Sequence, residues 1–365
     1  MRVFAISVLL IFSAVAINAQ TAAKYNFQVR VDSCMGTTIF PSWVLFYSEM
    51  MSMDKEEGDA FDFSVDSIEP NTTLRLIVEE TKFNKKTIYQ QNLQKGGSYV
   101  FSPYINWKYD ALRQLDQPTL ESYAFILELN GKEIDRRNMK FSFRGINECM
   151  FGYYEDDGSF VDLCELFAQY VNEDHPLIDK ILREVLEVDK TRRFIGYQGS
   201  WDDVMEQVFW IWEYFCKRGT RYSDIMSSSV ASGKITSQYV RFFEQVVNNR
   251  QANCVDGTVM LASIFQKIGL ETAIISLPSH MLLAICNTWK KENEDGYYIF
   301  LETTMMGTDK DSRKSFNAAL DAGAKMVNKY LDDKEKGKME GKGKGKAYVA
   351  NISTCRRNGI KPIGR

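Results

Sequence analysis

Three residues far apart in the sequence have the types and the order of a cysteine-nucleophile triad: Cys254, His280 and Glu302. A thiol attacks an acyl carbon only as thiolate, so it needs a setting that favours the anion. A neighbouring imidazole takes its proton and later delivers one to the leaving group. A carboxylate then orients the ring and fixes its tautomer. The chain holds only two histidines, His175 and His280, so the candidates for a base are few. The chemistry such a set performs is acyl transfer or amide hydrolysis.

Each of the three must be delivered by a particular element. Asn253-Cys254-Val255-Asp256-Gly257 precedes an apolar pattern in which Leu261, Ile264, Phe265 and Ile268 fall at i, i+3, i+4 and i+7. That spacing predicts a helix with one buried face, ending near Gly269, and it places Cys254 at the helix start. Free N–H groups and the positive dipole end there favour thiolate. The backbone N–H of Cys254 is itself placed to donate to an oxyanion. Downstream, ETAIISL, HMLLAIC and YYIFLETT read as three consecutive strands, broken at Pro278-Ser279 and joined by the polar loop KKENEDG. An antiparallel hairpin of the last two brings His280 nearly opposite Glu302, where cross-strand neighbours lie about 5 Å apart at Cβ.

The remainder of the chain divides in two. Residues 1–19 have a signal-peptide pattern: Arg2, an apolar stretch from Phe4 to Ile17, and Ile17-Asn18-Ala19 as the cleavage site. From 24 to 147, Phe27, Val29 and Val31, then Phe61, Phe63 and Val65, then Leu74, Leu76 and Val78 alternate with polar residues. With Asn130-Gly131 as a hairpin turn, this predicts an antiparallel β-sandwich. From 148 to 365 the period becomes helical. Expected helices cover Phe160–Val171, the segment after Pro176, the segment after Asp202 up to Gly219, the segment after Ser237, and about Ser315–Leu331. The fold class is therefore α+β. Residues 333–346, rich in Lys and Gly, read as a flexible loop; GKGKGK lacks the spacing and the Ser/Thr of a phosphate-binding loop.

Composition narrows the function. Charged residues make up 25% of the chain and the net charge is −3, which gives no basic face for nucleic acid. No apolar run after the signal segment is long enough to span a bilayer. Neither HExxH nor paired-Cys spacing is present, so no metal or other cofactor is expected. Glu155-Asp156-Asp157-Gly158 lacks calcium-ligand spacing and reads as a turn. His175, just before Pro176, reads as structural. Asn71-Thr72-Thr73 and Asn351-Ile352-Ser353 are glycosylation sequons that matter only in a eukaryotic host. Seven cysteines include an odd thiol, assigned to Cys254, and leave room for at most one or two disulfides.

The segments NCVDGTVMLASIFQKIGLE, LPSHMLLAI and IFLETTM resemble the transglutaminase-like (papain-like) superfamily. INECMF, YVNEDHPLIDKIL, RGTRYSDI and the terminal NGIKPI are similar to an exported bacterial branch of it with a β-sandwich ahead of the catalytic domain. The resemblance implies Cys254 as nucleophile, His280 as base and acid, and Glu302 as the orienting group, in a place where the superfamily more often has Asp. It implies a periplasmic or extracellular thiol hydrolase or acyltransferase on peptide or cell-wall amides. Trp201, Trp210 and Trp212 are its candidates for an oxyanion side chain, with core packing as the competing role. The alternative is a catalytically silent binding or scaffold protein.

Overall fold

A computed structural model describes residues 24–31, 35–51, 60–223, 234–291, 294, 296–335 and 346–364. The signal-peptide segment, Cys34 and most of the Lys/Gly stretch lie outside the described residues. The chain is of mixed α+β type with several antiparallel sheets, and it divides into two compact units, Met1–Ile146 and Asn147–Arg365.

In the first unit, β1 (Gln28–Val31), β3 (Phe61–Ile68) and β6 (Gly97–Phe101) form an antiparallel sheet in the order β1-β3-β6. A second sheet has the order β2-β8-β7-β4-β5, from β2 (Thr38–Ile39), β8 (Lys132–Phe143), β7 (Thr119–Leu129), β4 (Thr72–Val78) and β5 (Thr87–Leu93). Its one parallel pair is β2 with β8. The alternation predicted for β1, β3 and β4 selects the core face: Phe61, Phe63 and Val65 are all fully buried. Phe61 meets Tyr123, Phe125 and Phe141 of the other sheet with ring centroids 5.2–5.5 Å apart. Asn130 and Gly131 form the two-residue turn between β7 and β8, both at positive φ, as a type I′ hairpin requires. Two stretches depart from the expected strands, the short helix Tyr109–Arg113 and a longer one. Pro41–Met51 is an α-helix. Its apolar residues run consecutively from Trp43 to Tyr47 rather than alternating, and Pro41 sits in the first turn, where proline is tolerated.

The second unit carries a four-stranded antiparallel sheet of order β16-β15-β14-β17, from β14 (Thr272–Leu277), β15 (His280–Cys286), β16 (Tyr298–Leu301) and β17 (Tyr348–Asn351). The predicted strand trio is present, and β17 comes from the C-terminal tail. The helix Cys254–Lys267 packs on β14 and β15, and the long helix Ser312–Glu335 packs on β16. Ala273, Ile275, Leu282 and Ala284 form one buried face, closed by Val327 of the long helix. A second sheet, of order β10-β9-β12, joins β9 (Glu148–Tyr154), β10 (Phe160–Asp162) and β12 (Ile235–Tyr239). The short strands β11 (Arg221–Tyr222) and β13 (Gln251–Ala252) pair in parallel just before Cys254.

Three expectations need correcting. Phe160–Val171 is not a single helix: β10 is followed by a 3-10 turn, Cys164–Tyr170, buried on almost every side. Tertiary burial there overrides the amphipathic pattern. Ser237 lies within β12, and the helix begins only at Phe243. Ser200, not Asp202, caps the helix Trp201–Lys217, in a reciprocal capping box with Asp203. The six described cysteines are all free thiols.

Candidate active site

Asn253 starts the Cys254 helix. Its side chain accepts the Asp256 N–H at 2.9 Å, and the Asp256 carboxylate accepts the Asn253 N–H at 3.0 Å. This reciprocal box makes Cys254 the first helical residue, whose N–H has no intrahelical acceptor. Asp256 is fully buried and also takes the Arg241 N–H at 2.8 Å and its guanidinium at 2.5 Å. Burial pushes its carboxyl up, and the bonds from Arg241 and Asn253 offset only part of that. The helix is not buried on one face alone, as its pattern predicts; every residue from Val255 to Phe265 is buried. Thr258 and Ser263 satisfy their hydroxyls on the carbonyls of Cys254 and Val259, both at 2.7 Å.

Pro278 and Ser279 form the tight turn between β14 and β15, with Leu277 paired to His280 and Ser279 at φ +63°. His280 therefore stands at the end of its strand, 27% exposed at the side chain. Leu283 pairs with Leu301, so position 302 falls opposite Leu282, two residues from His280 and on the same face. Glu302 is 2% exposed and lies just beyond β16, where it caps the 3-10 turn Thr303–Met305. The strand thus ends at Leu301, three residues short of the expected YYIFLETT, because the carboxylate turns back on the chain. Oε1 accepts the Thr304 N–H at 3.0 Å and its hydroxyl at 2.5 Å. Oε2 takes His280 Nε2 at 2.5 Å.

Cys254 is the other group that acts on the His280 ring, ahead of Glu302 in raising its pKa. With Nε2 committed to Glu302, Nδ1 is the ring atom left for the thiol. The three residues read from the sequence are thus linked in one chain: thiol, imidazole, carboxylate. The bond to Cys254 first, and then Glu302, push His280 up to about 10 against the effect of burial. For Glu302, burial acts upward, but the bonds from His280 and Thr304 outweigh it and hold the carboxyl below its ordinary range. Both shifts favour the imidazolium–carboxylate form of the pair.

The residues that set these distances carry no local sequence signal of that role. A Cβ on Gly257 would lie 2.8 Å from Thr303 Oγ1, so this glycine lets the turn after Glu302 press on the Cys254 helix. Thr303 then donates to the Cys254 carbonyl at 3.4 Å. The long helix fixes Glu302 from the other side: its Ala319 carbonyl accepts the Glu302 N–H at 3.1 Å. A Cβ on Gly323 would sit 2.6 Å from the Phe300 carbonyl oxygen. That neighbour is backbone, so Gly323→Ala is expected to displace the helix and to cost about 1–3 kcal/mol, read by chemical denaturation. A Cys-x-Asp-Gly or Leu-Glu-Thr-Thr segment signals these contacts only once the two segments are known to touch.

The tryptophan candidates do not gather at the triad. Trp212 is fully buried and donates its indole N–H to Ser315 Oγ at 3.0 Å. Trp210 packs edge-on to Phe194 beneath Arg192, and Trp201 packs on Trp289, which follows the far end of β15. His175 is structural as expected: it caps the helix Pro176–Glu187 through Nδ1 and stacks on Phe243. Glu155–Gly158 is the turn between β9 and β10, closed by Gly158 N–H to the Glu155 carbonyl. Asn351 accepts the Thr354 N–H as a helix cap. Among the described residues no cluster of His, Cys, Asp or Glu can hold a metal ion, and no helix is long and apolar enough to cross a membrane.

No protein-family model matches the chain, and no curated protein matches it.

Proposed function

We propose that the chain is an exported thiol-dependent amide hydrolase or acyltransferase of transglutaminase-like type. Its first unit is then an Ig-like β-sandwich and its second a papain-like α+β domain. One observation carries this reading: a cysteine on the first residue of a capped helix shares an imidazole with a buried, fully bonded carboxylate. Facing aromatic layers in the first unit support the sandwich.

In this mechanism Cys254 passes its proton to His280 and attacks, as thiolate, the carbonyl carbon of a peptide or cell-wall amide. The oxyanion forms near the Cys254 N–H at the positive end of the helix. His280, held as imidazolium by Glu302, protonates the departing amine, leaving a thioester on Cys254. Water or a second amine attacks the thioester while the now neutral ring takes its proton, and the thiolate is restored. Glu302 stays ionised throughout and keeps Nδ1 turned toward sulfur.

Incubation with p-nitrophenyl acetate tests this. The expected result is a burst of p-nitrophenol, with the acetyl group found on Cys254 by peptide mapping. Cys254→Ser is expected to lack both. Absence of a burst in the native chain would contradict the proposal.

A further inference from the structure

A groove of about 250 Å³ opens directly beside His280. Its floor is the Leu277–Pro278 turn. Its wall is one face of the long helix, on which Met326, Lys329, Tyr330 and Asp333 recur at i, i+3, i+4 and i+7. Met326 is 37% exposed, whereas the Tyr330 ring is nearly buried and its hydroxyl is committed to the Ala347 N–H at 2.6 Å. The lining is therefore largely apolar, with Lys329 and Asp333 as the charged members beside His280. The volume suits one side chain rather than a larger molecule, since pockets for whole ligands run from about 300 Å³ upward.

The position of the groove says which part of a substrate it holds. His280 forms part of its wall and Cys254 does not. In acyl transfer the imidazole touches the amine, both when it protonates the leaving group and when it deprotonates an incoming nucleophile. Resting on the reading above, we infer that this groove is the amine-side subsite: it takes an aliphatic or aromatic side chain on the residue whose nitrogen leaves or attacks. In the transfer direction the amine nitrogen bonds to the thioester carbonyl, the C–S bond breaks, sulfur departs as thiolate, and His280 accepts the amine proton. The atoms balance with no further reactant.

Such a subsite makes the acyl-enzyme discriminate among amines of equal intrinsic reactivity. One or two methylenes in an apolar pocket separate substrates by roughly 10–200-fold. The test is to acetylate the full chain with p-nitrophenyl acetate in the presence of glycinamide, leucinamide, phenylalaninamide, glutamic acid α-amide or lysinamide. Partition between acetate and the N-acetyl product is then measured. Leucinamide or phenylalaninamide is expected to capture the acetyl group at least about tenfold better than glycinamide. Met326→Trp, which fills the groove, and Met326→Glu, which charges it, are both expected to erase that ratio. Acetylation of Cys254 with equal capture of all amines, with preference for a charged side chain, or with a ratio untouched by both variants would overturn the subsite and leave the triad standing. Failure of the native chain to acetylate at Cys254 would remove the reading itself, and the subsite with it.

Discussion

His280→Ala is expected to slow acetylation of Cys254 at neutral pH by about 10²–10⁴-fold, the usual worth of a positioned acid–base group. The side chain lies at a strand end and is partly exposed, so the fold is expected to survive its removal. The same ring gives the native chain a pH signature. Its pKa is raised in the folded state, from an ordinary 6.5 to about 10, by the bonds to Cys254 and Glu302. A group raised on folding stabilises the protein fully below its unfolded pKa. That contribution declines as pH climbs past about 6.5 and is gone above about 10. Glu302 acts in the opposite sense: its lowered pKa adds stability at neutral pH that is lost in acid. Thermal melts of the native chain are expected to fall more steeply than those of His280→Ala between neutral and alkaline pH. Parallel curves would show that the imidazolium–carboxylate pair is not formed.

Arg356→Ala is expected to destabilise the second unit by about 3 kcal/mol, near the lower end for breaking a buried ion pair because both partners retain some exposure. Its guanidinium forks onto both oxygens of Glu173 at 2.8 Å and also donates to the carbonyls of Ala168, Val171 and Ile360. One side chain thus ties the C-terminal tail to the 3-10 turn Cys164–Tyr170 and the segment that follows it. For Glu173, burial acts upward, yet the Arg356 bond and charge hold its carboxyl below the usual range. Lysine offers a point charge and three donors in place of a planar fork. Arg356→Lys is therefore expected to recover only part of the loss. A change below about 0.5 kcal/mol for Arg356→Ala, an ordinary surface value, would contradict this.

What the sequence discloses follows how local the physics is. The Cys254 helix and the β14–β16 strands are legible because caps, turns and apolar periods act over a few residues. The pairing of His280 with Glu302 is legible because a hairpin restricts register. The sequence pattern nonetheless makes Glu302 a strand residue, since its capping of Thr304 depends on side-chain direction. The packing roles of Gly257 and Gly323 are not legible, because they lie in Thr303 and Phe300, which are distant in the chain. The 3-10 turn at Cys164–Tyr170 has a helical apolar pattern, and its all-round burial comes largely from remote segments. Arg356 carries no sequence signal, because its acceptors Ala168, Val171 and Glu173 lie 183–188 residues upstream.

The most direct test of the triad is the selectivity of alkylation. At mildly acidic pH, limiting iodoacetamide followed by peptide mapping is expected to modify Cys254 ahead of every other thiol. Burial pushes Cys164, Cys286 and Cys355 well up, which keeps them protonated. His280→Ala is expected to slow labelling of Cys254 under the same conditions, and Glu302→Gln to slow it less, since it disturbs the ring without removing it. Labelling spread evenly over the cysteines, or labelling of Cys254 unchanged by His280→Ala, would contradict the account and favour a silent binding module built on the same fold.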